Sequence, residues 1–270
     1  MEKFKRSERL VAITKHLANH PRELISLGFF SDLFSAAKST ISEDLAIIRD
    51  TLDSFNMGIL ETLPGAGGGV KFLPRIGQPE TSEFLIALSQ TLSHPERIIP
   101  GGFLYMTDLL FNPAISSKVG AIFATKFSES NPEVVITIET KGIPLALMTA
   151  QCLNVPLVVI RNDSRVTEGS SVSINYVSGS TRRIQTMSLP RRSLLKGARV
   201  IVIDDFMKAG GTAKGMLELL EEFDSQVLGM GVLISTREPK EKLVHDYVSL
   251  LELVEIDEQQ RKIYIRPTGS

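Results

Sequence analysis

Hydrophobic positions along the chain follow two different periods, and the change between them falls near residue 132. Upstream of it, apolar residues recur three or four positions apart, which is typical of one face of a helix. Downstream of it, short runs of branched apolar residues alternate with helical segments. The predicted strands are residues 134–138, 157–160, 200–203 and 227–234. Because these runs are almost entirely apolar, they indicate an α/β fold with a mostly parallel sheet covered by helices.

The N-terminal part of the chain predicts a different architecture. The helical segments expected there are residues 7–19, 29–34 and 40–55. Ser39 is the expected N-cap of the third helix. Two short apolar runs follow, 58–63 and 70–73, and a glycine-rich loop separates them as in a hairpin. Three helices and a hairpin in this order are typical of a winged helix-turn-helix, whose third helix enters the major groove of DNA.

Basic and hydroxyl side chains lie on the elements that would face DNA. The candidate DNA-binding residues are Lys5, Arg6, Arg9, Lys38, Ser39, Thr40, Ser42 and Lys71. The net charge of -1 argues against a uniformly basic nucleic-acid binder, so DNA binding needs a local patch. Acidic residues nearly match the basic ones in this region. A solvated face of a small dimerisation or regulatory module is therefore the alternative interpretation.

Residues 200–212 carry the most specific pattern in the chain. The predicted strand is followed at its carboxyl end by Asp204 and Asp205, and a paired-glycine turn then leads into a helix at Thr212. Such a turn cradles phosphate, because glycines allow close approach and successive N–H groups point at the anion. The carboxylates lie at the wrong end for phosphate and suit sugar hydroxyls or a metal ion. An ordinary β–turn–α unit with a glycine hinge is the alternative.

This pattern resembles the phosphoribosyl pyrophosphate (PRPP) signature of the type I phosphoribosyltransferases. The resemblance implies that Asp204 and Asp205 hold ribose hydroxyls, that residues 208–212 cradle the 5′-phosphate, and that the loop 139–142 binds pyrophosphate. Arg161 ends the second strand and could pair with a pyrophosphate oxygen. The residues implied for PRPP binding are Thr140, Lys141, Gly142, Arg161, Asp204, Asp205, Phe206, Met207, Lys208, Ala209, Gly210, Gly211 and Thr212.

Other segments complete the expected organisation. Helices are also predicted at 81–92, 103–110, 113–127 and 143–152, and a small terminal hairpin at 250–256 and 263–265. Alternating arms at 170–177 and 182–189, with a turn at 178–180, indicate a hairpin of the size of a lid over the site. An exposed hairpin used in dimer contacts is the alternative for that segment.

The two halves together resemble the purine operon regulators of Gram-positive bacteria, essentially end to end. The most particular stretches are residues 37–44, 64–71, 95–102, 166–170, 175–179 and 204–212. The resemblance implies a winged-helix DNA-binding domain at 1–75 and a phosphoribosyltransferase-like effector domain at 76–270. It also implies a homodimer that binds paired operator sites in double-stranded DNA. PRPP would be an effector and not a substrate, and guanosine tetraphosphate is a second ligand expected for the pocket.

An adenine- or xanthine-type purine phosphoribosyltransferase with an N-terminal accessory domain is the alternative function. Many enzymes of this fold place Thr-Gly-Gly-Thr in the phosphate loop. Here Ala209 removes the first hydroxyl and Lys208 adds a cation, which favours holding the ligand. Mg²⁺ could accompany a bound diphosphate at Asp204 and Asp205, but no dedicated metal site is predicted.

The composition argues against membrane and secreted classes. No apolar run approaches ~20 residues, the length that crosses a bilayer. The charged N-terminus lacks the apolar core of a signal peptide. The single cysteine, Cys152, cannot form an intramolecular disulfide. We therefore expect a cytoplasmic protein with no membrane partner.

Overall fold

A computed structural model describes residues 4–65, 67–163, 169–177 and 184–269. The chain divides into two compact units. The N-terminal unit comprises Met1–Gly77 with Gln151–Asn154, and the C-terminal unit comprises Gln78–Ala150 with Val155–Ser270. The turn expected at 178–180, most of the stretch 166–170, and Ala66 of the glycine-rich loop lie outside the described residues.

In its described part, the N-terminal unit has the predicted order of three helices and a hairpin. The elements are α1 (Arg6–Asn19), α2 (Leu27–Phe34), α3 (Lys38–Ser54), β1 (Ile59–Leu63) and β2 (Gly69–Leu73). The strands pair antiparallel from Ile59 opposite Leu73 to Leu63 opposite Gly69. Apolar side chains of all five elements form one core, which includes Ile13, Phe30, Ile41, Leu60 and Val70. This common core fixes the orientation of α3 relative to the hairpin.

The start of α3 differs from the expectation. The helix begins at Lys38 and its N-cap is Ala37, which has extended backbone and makes no side-chain cap hydrogen bond. Ser39 is therefore a residue of the first turn and not the N-cap. Burial of Ile41 and Leu45 against the core sets the helix start here, because packing of an apolar face contributes more than a cap.

The C-terminal unit is built around a sheet of the predicted α/β type. Its elements up to the first central strand are α4 (Gln78–Leu92), a 3₁₀ turn (Pro95–Arg97), β3 (Ile98–Ile99), β4 (Phe103–Leu104), α5 (Thr107–Leu110), α6 (Pro113–Lys126) and β5 (Val134–Ile138). The later elements are α7 (Ile143–Leu153), β6 (Leu157–Ile160), β7 (Ser171–Val177), β8 (Ile184–Pro190), β9 (Arg199–Met207), α8 (Gly211–Glu221), β10 (Gln226–Thr236), β11 (Val248–Asp257) and β12 (Lys262–Pro267).

Among the described strands, six form the main sheet in the order β12-β11-β10-β9-β5-β6. All neighbouring pairs are parallel except β11 and β12. Val200, Ile201, Val202 and Ile203 are all 0% exposed, as a strand covered on both faces requires. The predicted parallel sheet covered by helices is confirmed.

Two local predictions about this unit are wrong, and a third is confirmed with an addition. Residues 103–104 form a strand, because Gly101 and Gly102 adopt positive φ angles of 93° and 71° and turn the chain back onto β3. The predicted terminal hairpin is confirmed, since β11 and β12 pair antiparallel, and it also belongs to the main sheet because β11 pairs with β10. Strand β9 runs past the acid pair, because its pairing with β10 continues as far as Met207 opposite Ser235.

Candidate functional site

The strand order places the candidate site at a point where the chain reverses its direction across the sheet. From β5 the chain moves to β6 on one side, and from β9 it moves to β10 on the other. Ligands of open α/β sheets bind at the carboxyl ends of strands beside such a switch point. The loop 139–142 follows β5 and the loop 208–210 follows β9, so both loops lie at this position.

The acid pair lies at the floor of the site. Asp204 is 6% exposed, and its Oδ1 accepts a hydrogen bond of 2.9 Å from the backbone N–H of Asp205. Burial raises the pKa of Asp204 well above its usual range, and the neighbouring Asp205 carboxylate raises it further. Burial also raises the pKa of Asp205, while the Lys141 ammonium acts against that rise. The site therefore holds two carboxyl groups that would be stabilised by hydroxyl donors or a cation.

The loop after β5 approaches the acid pair closely at Gly142. A Cβ on Gly142 would collide with the Thr137 hydroxyl and lie 3.1 Å from Asp204 Oδ1. Thr137 is fully buried, and its hydroxyl has no hydrogen-bond partner within the described residues. Any other residue at this position would have to displace the Thr137 hydroxyl and would crowd the Asp204 carboxylate.

The phosphate-type loop has the backbone geometry expected for an anion cradle. Gly210 has φ 84° in the left-handed region and is the N-cap of α8, which begins at Gly211. A cavity of about 180 Å³ lies against residues 206–213, Asp204 and Val232. Because the first N–H groups of a helix have no partner within it, the start of α8 supplies donors to this cavity.

A second cavity, of about 350 Å³, joins the other predicted residues. Its walls are formed by Ile138, Glu139, Thr140, Lys141, Asn162, Tyr176, Gln185, Asp204, Asp205, Phe206 and Thr212. Glu139 organises one side of it, since its carboxylate lies 3.2 Å from Arg161 Nη1 and accepts 2.8 Å from the backbone N–H of Asn162. Arg161 thus lies next to the cavity, at the end of β6, and is held by Glu139.

Strands β7 and β8 pair antiparallel as predicted and add residues that the sequence analysis did not assign to the site. The Tyr176 hydroxyl donates to Gln185 Oε1 at 2.9 Å, and both side chains line the second cavity. A Cβ on Gly215 would lie 3.0 Å from Tyr176 Cβ, so the hairpin packs on α8 at this point. Burial raises the pKa of Tyr176, with a hydrogen bond to Thr212 acting against it. The alternation of the hairpin could have indicated Tyr176 as an inward-facing residue.

Some of the candidate DNA-binding side chains are exposed, and others interact with residues of their own unit. Lys5, Lys38, Ser39 and Ser42 are exposed, and Thr40 is half-buried. Lys71 Nζ pairs with Glu61 at 3.0 Å. These side chains occupy the first turn of α3, the start of α1 and the hairpin, all within the N-terminal unit.

Arg9 does not fit the interface predicted for it. Arg9 is 9% exposed, and its guanidinium binds the carboxylate of Asp44, which is fully buried, and the carbonyl of Phe4. Arg6 also binds Asp44, at 3.2 Å, but half of its side chain is exposed. A buried guanidinium held by these two partners stabilises the unit, so we leave Arg9 out of the DNA-binding face.

Two further classes of site are absent from what the structure describes. No group of three or more His, Cys, Asp or Glu side chains is placed to hold a metal ion among the described residues. Over the same part of the chain, every helix is too short or too polar to cross a bilayer.

Comparison with known proteins identifies both parts of the chain. Residues 5–74 match the family described as bacterial purine repressor, N-terminal, and residues 106–263 match the phosphoribosyl transferase domain. The chain is 54% identical over 264 residues to the purine biosynthesis transcriptional repressor PurR of Bacillus subtilis, covering 98% of this chain and 93% of that protein. It is 41% identical to the purine biosynthesis transcriptional activator PurR of Lactococcus lactis, covering 97% of each chain.

Solved structures agree with the fold of the C-terminal unit. A crystal structure of adenine phosphoribosyltransferase from Saccharomyces cerevisiae superposes with a TM-score of 0.54 at 19% identity, covering 62% of this chain and 98% of that chain. At this identity the likeness concerns the fold alone. The 54% identity to the Bacillus subtilis repressor, in contrast, extends over nearly the whole chain. This chain therefore belongs to the family of bacterial purine biosynthesis regulators named PurR.

Proposed function

We propose that this protein regulates transcription of purine biosynthesis operons by binding operator DNA through its N-terminal unit and PRPP in its C-terminal unit. The observation that carries the proposal is one chain that joins a purine-repressor N-terminal match at 5–74 to the acid pair and phosphate-type loop at 204–212. The 54% identity to a repressor, against 41% to an activator, favours repression as the direction of control.

The chemistry of the site supports PRPP as the effector. Carboxylates of Asp204 and Asp205 would accept hydrogen bonds from the ribose hydroxyls, which relieves the cost of burying two acids side by side. The start of α8 would receive the 5′-phosphate, and the loop 139–142 with Arg161 would receive the diphosphate. Asp204 lines both the cavity at residues 206–213 and the cavity at residues 138–141, which supports placing the ribose between the two phosphate ends.

Mg²⁺ fits this site only as a companion of the ligand. Asp204 and Asp205 line the cavity, whereas the Glu139 carboxylate there is paired with Arg161. Mg²⁺ commonly combines one or two carboxylates with phosphate oxygens and water. Bound with the diphosphate, it would neutralise charge that Lys141 and Arg161 leave uncompensated.

Guanosine tetraphosphate is a second ligand that the site could accommodate. A cavity of about 500 Å³ adjoins the acid pair and is lined by Phe103, Phe206 and Lys208 among others. Aromatic side chains beside a phosphate cradle suit a purine ring that carries phosphates. Binding would compete with PRPP, since both ligands require the loop 208–212.

The exposed residues of the N-terminal unit support operator binding. Lys38, Ser39 and Ser42 lie on the outer face of α3, the helix that enters the major groove in winged helix-turn-helix proteins. We propose a cytoplasmic homodimer, because two copies of such a unit would read paired operator sites.

A pyrophosphate-release assay separates this function from catalysis. Purified protein is mixed with PRPP, Mg²⁺ and adenine, guanine, hypoxanthine or xanthine, and PRPP binding is measured by calorimetry on the same sample. The proposal expects PRPP binding without turnover. Release of pyrophosphate at enzyme-like rates of about 1 per second or more would instead assign the protein to the phosphoribosyltransferases.

A further inference from the structure

A charged segment that looks like an ordinary surface loop packs against the back of the phosphate-type loop. It follows β10 and includes Lys242, which is only 9% exposed. Lys242 Nζ donates to the carbonyl of Lys208 at 2.5 Å, to the carbonyl of Thr236 at 2.7 Å and to the Thr236 hydroxyl at 3.1 Å. A buried lysine thus holds the first carbonyl of the loop 208–210.

Lys242 is the principal donor to that carbonyl. The Thr236 hydroxyl lies 3.2 Å from the Lys208 carbonyl but 2.6 Å from the carbonyl of Glu238. One hydroxyl has one proton, and the shorter contact receives it preferentially. The Lys208 carbonyl therefore accepts its hydrogen bond from the Lys242 ammonium.

The next two carbonyls of the loop are also hydrogen-bonded, in their case to backbone N–H groups. The Ala209 carbonyl accepts from the backbone N–H of Leu243 at 2.9 Å, and the Gly210 carbonyl accepts from the N–H of Lys214 at 2.8 Å. In a planar trans peptide the C=O and N–H groups point in opposite directions. Fixing these carbonyls therefore fixes the direction of the N–H groups of Ala209, Gly210 and Gly211.

Those N–H groups are left available for a ligand. Over the part of the chain that the structure describes, the N–H groups of Ala209 and Gly210 have no hydrogen-bond acceptor. Successive backbone N–H groups that share one side of the chain form a concave site for anions. The cavity of about 180 Å³ lies against this loop.

The charge of Lys242 is also uncompensated at short range. All three acceptors of its ammonium are uncharged oxygens, and no carboxylate lies within ion-pair distance of it among the described residues. Burial lowers the pKa of Lys242, whereas Glu238 and Glu252 act in the opposite direction. An anion on the other side of the loop would be attracted by this charge through the polarised Lys208 peptide.

We propose that Lys242 is a positioning residue for the effector phosphate, which orients the N–H groups of the loop 208–210 without touching the ligand. This inference rests on the proposed function, in which that loop receives the 5′-phosphate of PRPP. A lysine that served only to hold the chain together would affect all ligands of the unit equally, whereas a positioning residue affects the phosphate at one end.

The test uses ligands that occupy different ends of the site. Ribose 5-phosphate carries the phosphate expected at the loop 208–212, and inorganic pyrophosphate represents the diphosphate expected at the loop 139–142. Calorimetric titrations of both, and of PRPP, are made on the full chain with the wild type, K242M and K242R. K240M is the matched control, because Lys240 is exposed in the same segment.

K242M should weaken the binding of ribose 5-phosphate and PRPP by about tenfold or more, which is the factor expected for the loss of a hydrogen bond from a charged donor. The affinity for pyrophosphate should stay within about twofold of the wild type. K242R should recover part of the loss, and K240M should match the wild type. If K242M does not fold, T236V should show a smaller loss with the same selectivity.

Two results would overturn the inference while leaving PRPP sensing intact. One is a K242M protein that binds ribose 5-phosphate as the wild type does, and the other is an equal loss for ribose 5-phosphate and pyrophosphate. Wild-type protein that binds none of the three ligands would remove the proposed effector function itself, and this inference with it.

Discussion

The Arg9 guanidinium and the Asp44 carboxylate form a buried ion pair that joins α1 to α3. Arg9 Nε lies 2.7 Å from Asp44 Oδ2 and Nη2 lies 3.3 Å from Oδ1, with Asp44 fully buried. Ile41 and Leu45, on the same helix as Asp44, belong to the core of the N-terminal unit. The pair therefore fixes the first turns of the helix proposed to enter DNA.

Breaking this pair should destabilise the N-terminal unit. R9M leaves the buried Asp44 carboxylate with Arg6 as its remaining ion-pair partner, and loss of one member of a buried pair costs about 3–5 kcal/mol. Urea unfolding of the full chain, with hydrogen exchange of α1 and α3 as the probe, measures the change in the free energy of unfolding. R6M is the control and should cost about 1 kcal/mol or less, because half of the Arg6 side chain is exposed. A larger loss for R6M than for R9M would contradict the structural role given to Arg9.

Replacing Lys38 with alanine should weaken operator binding and leave effector binding unchanged. The side chain is exposed at the start of α3, where a lysine can contact a DNA phosphate. Loss of one phosphate contact should reduce the slope of log affinity against log salt by about 1. Fluorescence anisotropy at several salt concentrations measures that slope. K196A removes a lysine from the C-terminal unit and should leave the slope unchanged, and an unchanged slope in K38A would remove Lys38 from the interface.

Replacing Asp204 with asparagine should stabilise the ligand-free protein at neutral pH. Burial raises the pKa of Asp204 in the folded state, so the folded protein binds this proton more tightly than the unfolded chain. The contribution of Asp204 to stability is therefore fully present below the unfolded pKa and is lost as pH rises through the folded pKa. Asparagine cannot ionise, so the free energy of unfolding of D204N should decrease less than that of the wild type between acidic and neutral pH.

D204N should also weaken PRPP binding by about tenfold or more, because charge-assisted hydrogen bonds to the ribose hydroxyls are lost. Thermal unfolding across pH and PRPP titration measure the two effects on one sample. D224N removes a carboxylate from an exposed pair with Lys196, so it should change stability by about 1 kcal/mol or less and leave PRPP binding unchanged. A D204N protein that is less stable at neutral pH and binds PRPP normally would show that Asp204 serves the fold and not the ligand.

Gly142 should not tolerate a side chain. G142A places a methyl group against the Thr137 hydroxyl and beside Asp204, which should cost about 1–3 kcal/mol of stability and reduce PRPP affinity. G28A is the control, since a Cβ at that position meets its nearest atom at an ordinary 3.5 Å. Full PRPP affinity in G142A would mean that the loop 139–142 does not depend on close approach to the acid pair.

Much of the site could be predicted from sequence because its chemistry follows strand ends. Asp204, Asp205 and the loop 139–142 directly follow apolar runs, and the carboxyl ends of parallel strands meet at one edge of a sheet. Tyr176 and Lys242 were missed because neither follows a recognisable strand end. Lys242 reaches the loop 208–210 through a turn whose path depends on tertiary packing and not on a local motif.

Arg9 illustrates a different limit. An arginine at helical spacing near a DNA-binding helix has the same sequence signature whether it faces DNA or a buried carboxylate. Its partner Asp44 is 35 positions away, and only the packing of α1 on α3 brings the two together. The start of α3 was misplaced for the same reason, since burial of Ile41 and Leu45 outweighs the cap preference of Ser39.

The central claim, that one protein couples PRPP to operator binding, is tested most directly by a DNA titration with and without PRPP. Wild-type protein is titrated onto operator DNA from a purine operon at fixed salt and Mg²⁺, and D204A is titrated in parallel. We expect PRPP to change the operator affinity of the wild type by about fivefold or more, the range of an allosteric coupling, and to leave that of D204A unchanged. D204A should bind the operator as the wild type does without effector. Equal operator affinity of the wild type with and without PRPP would contradict the account.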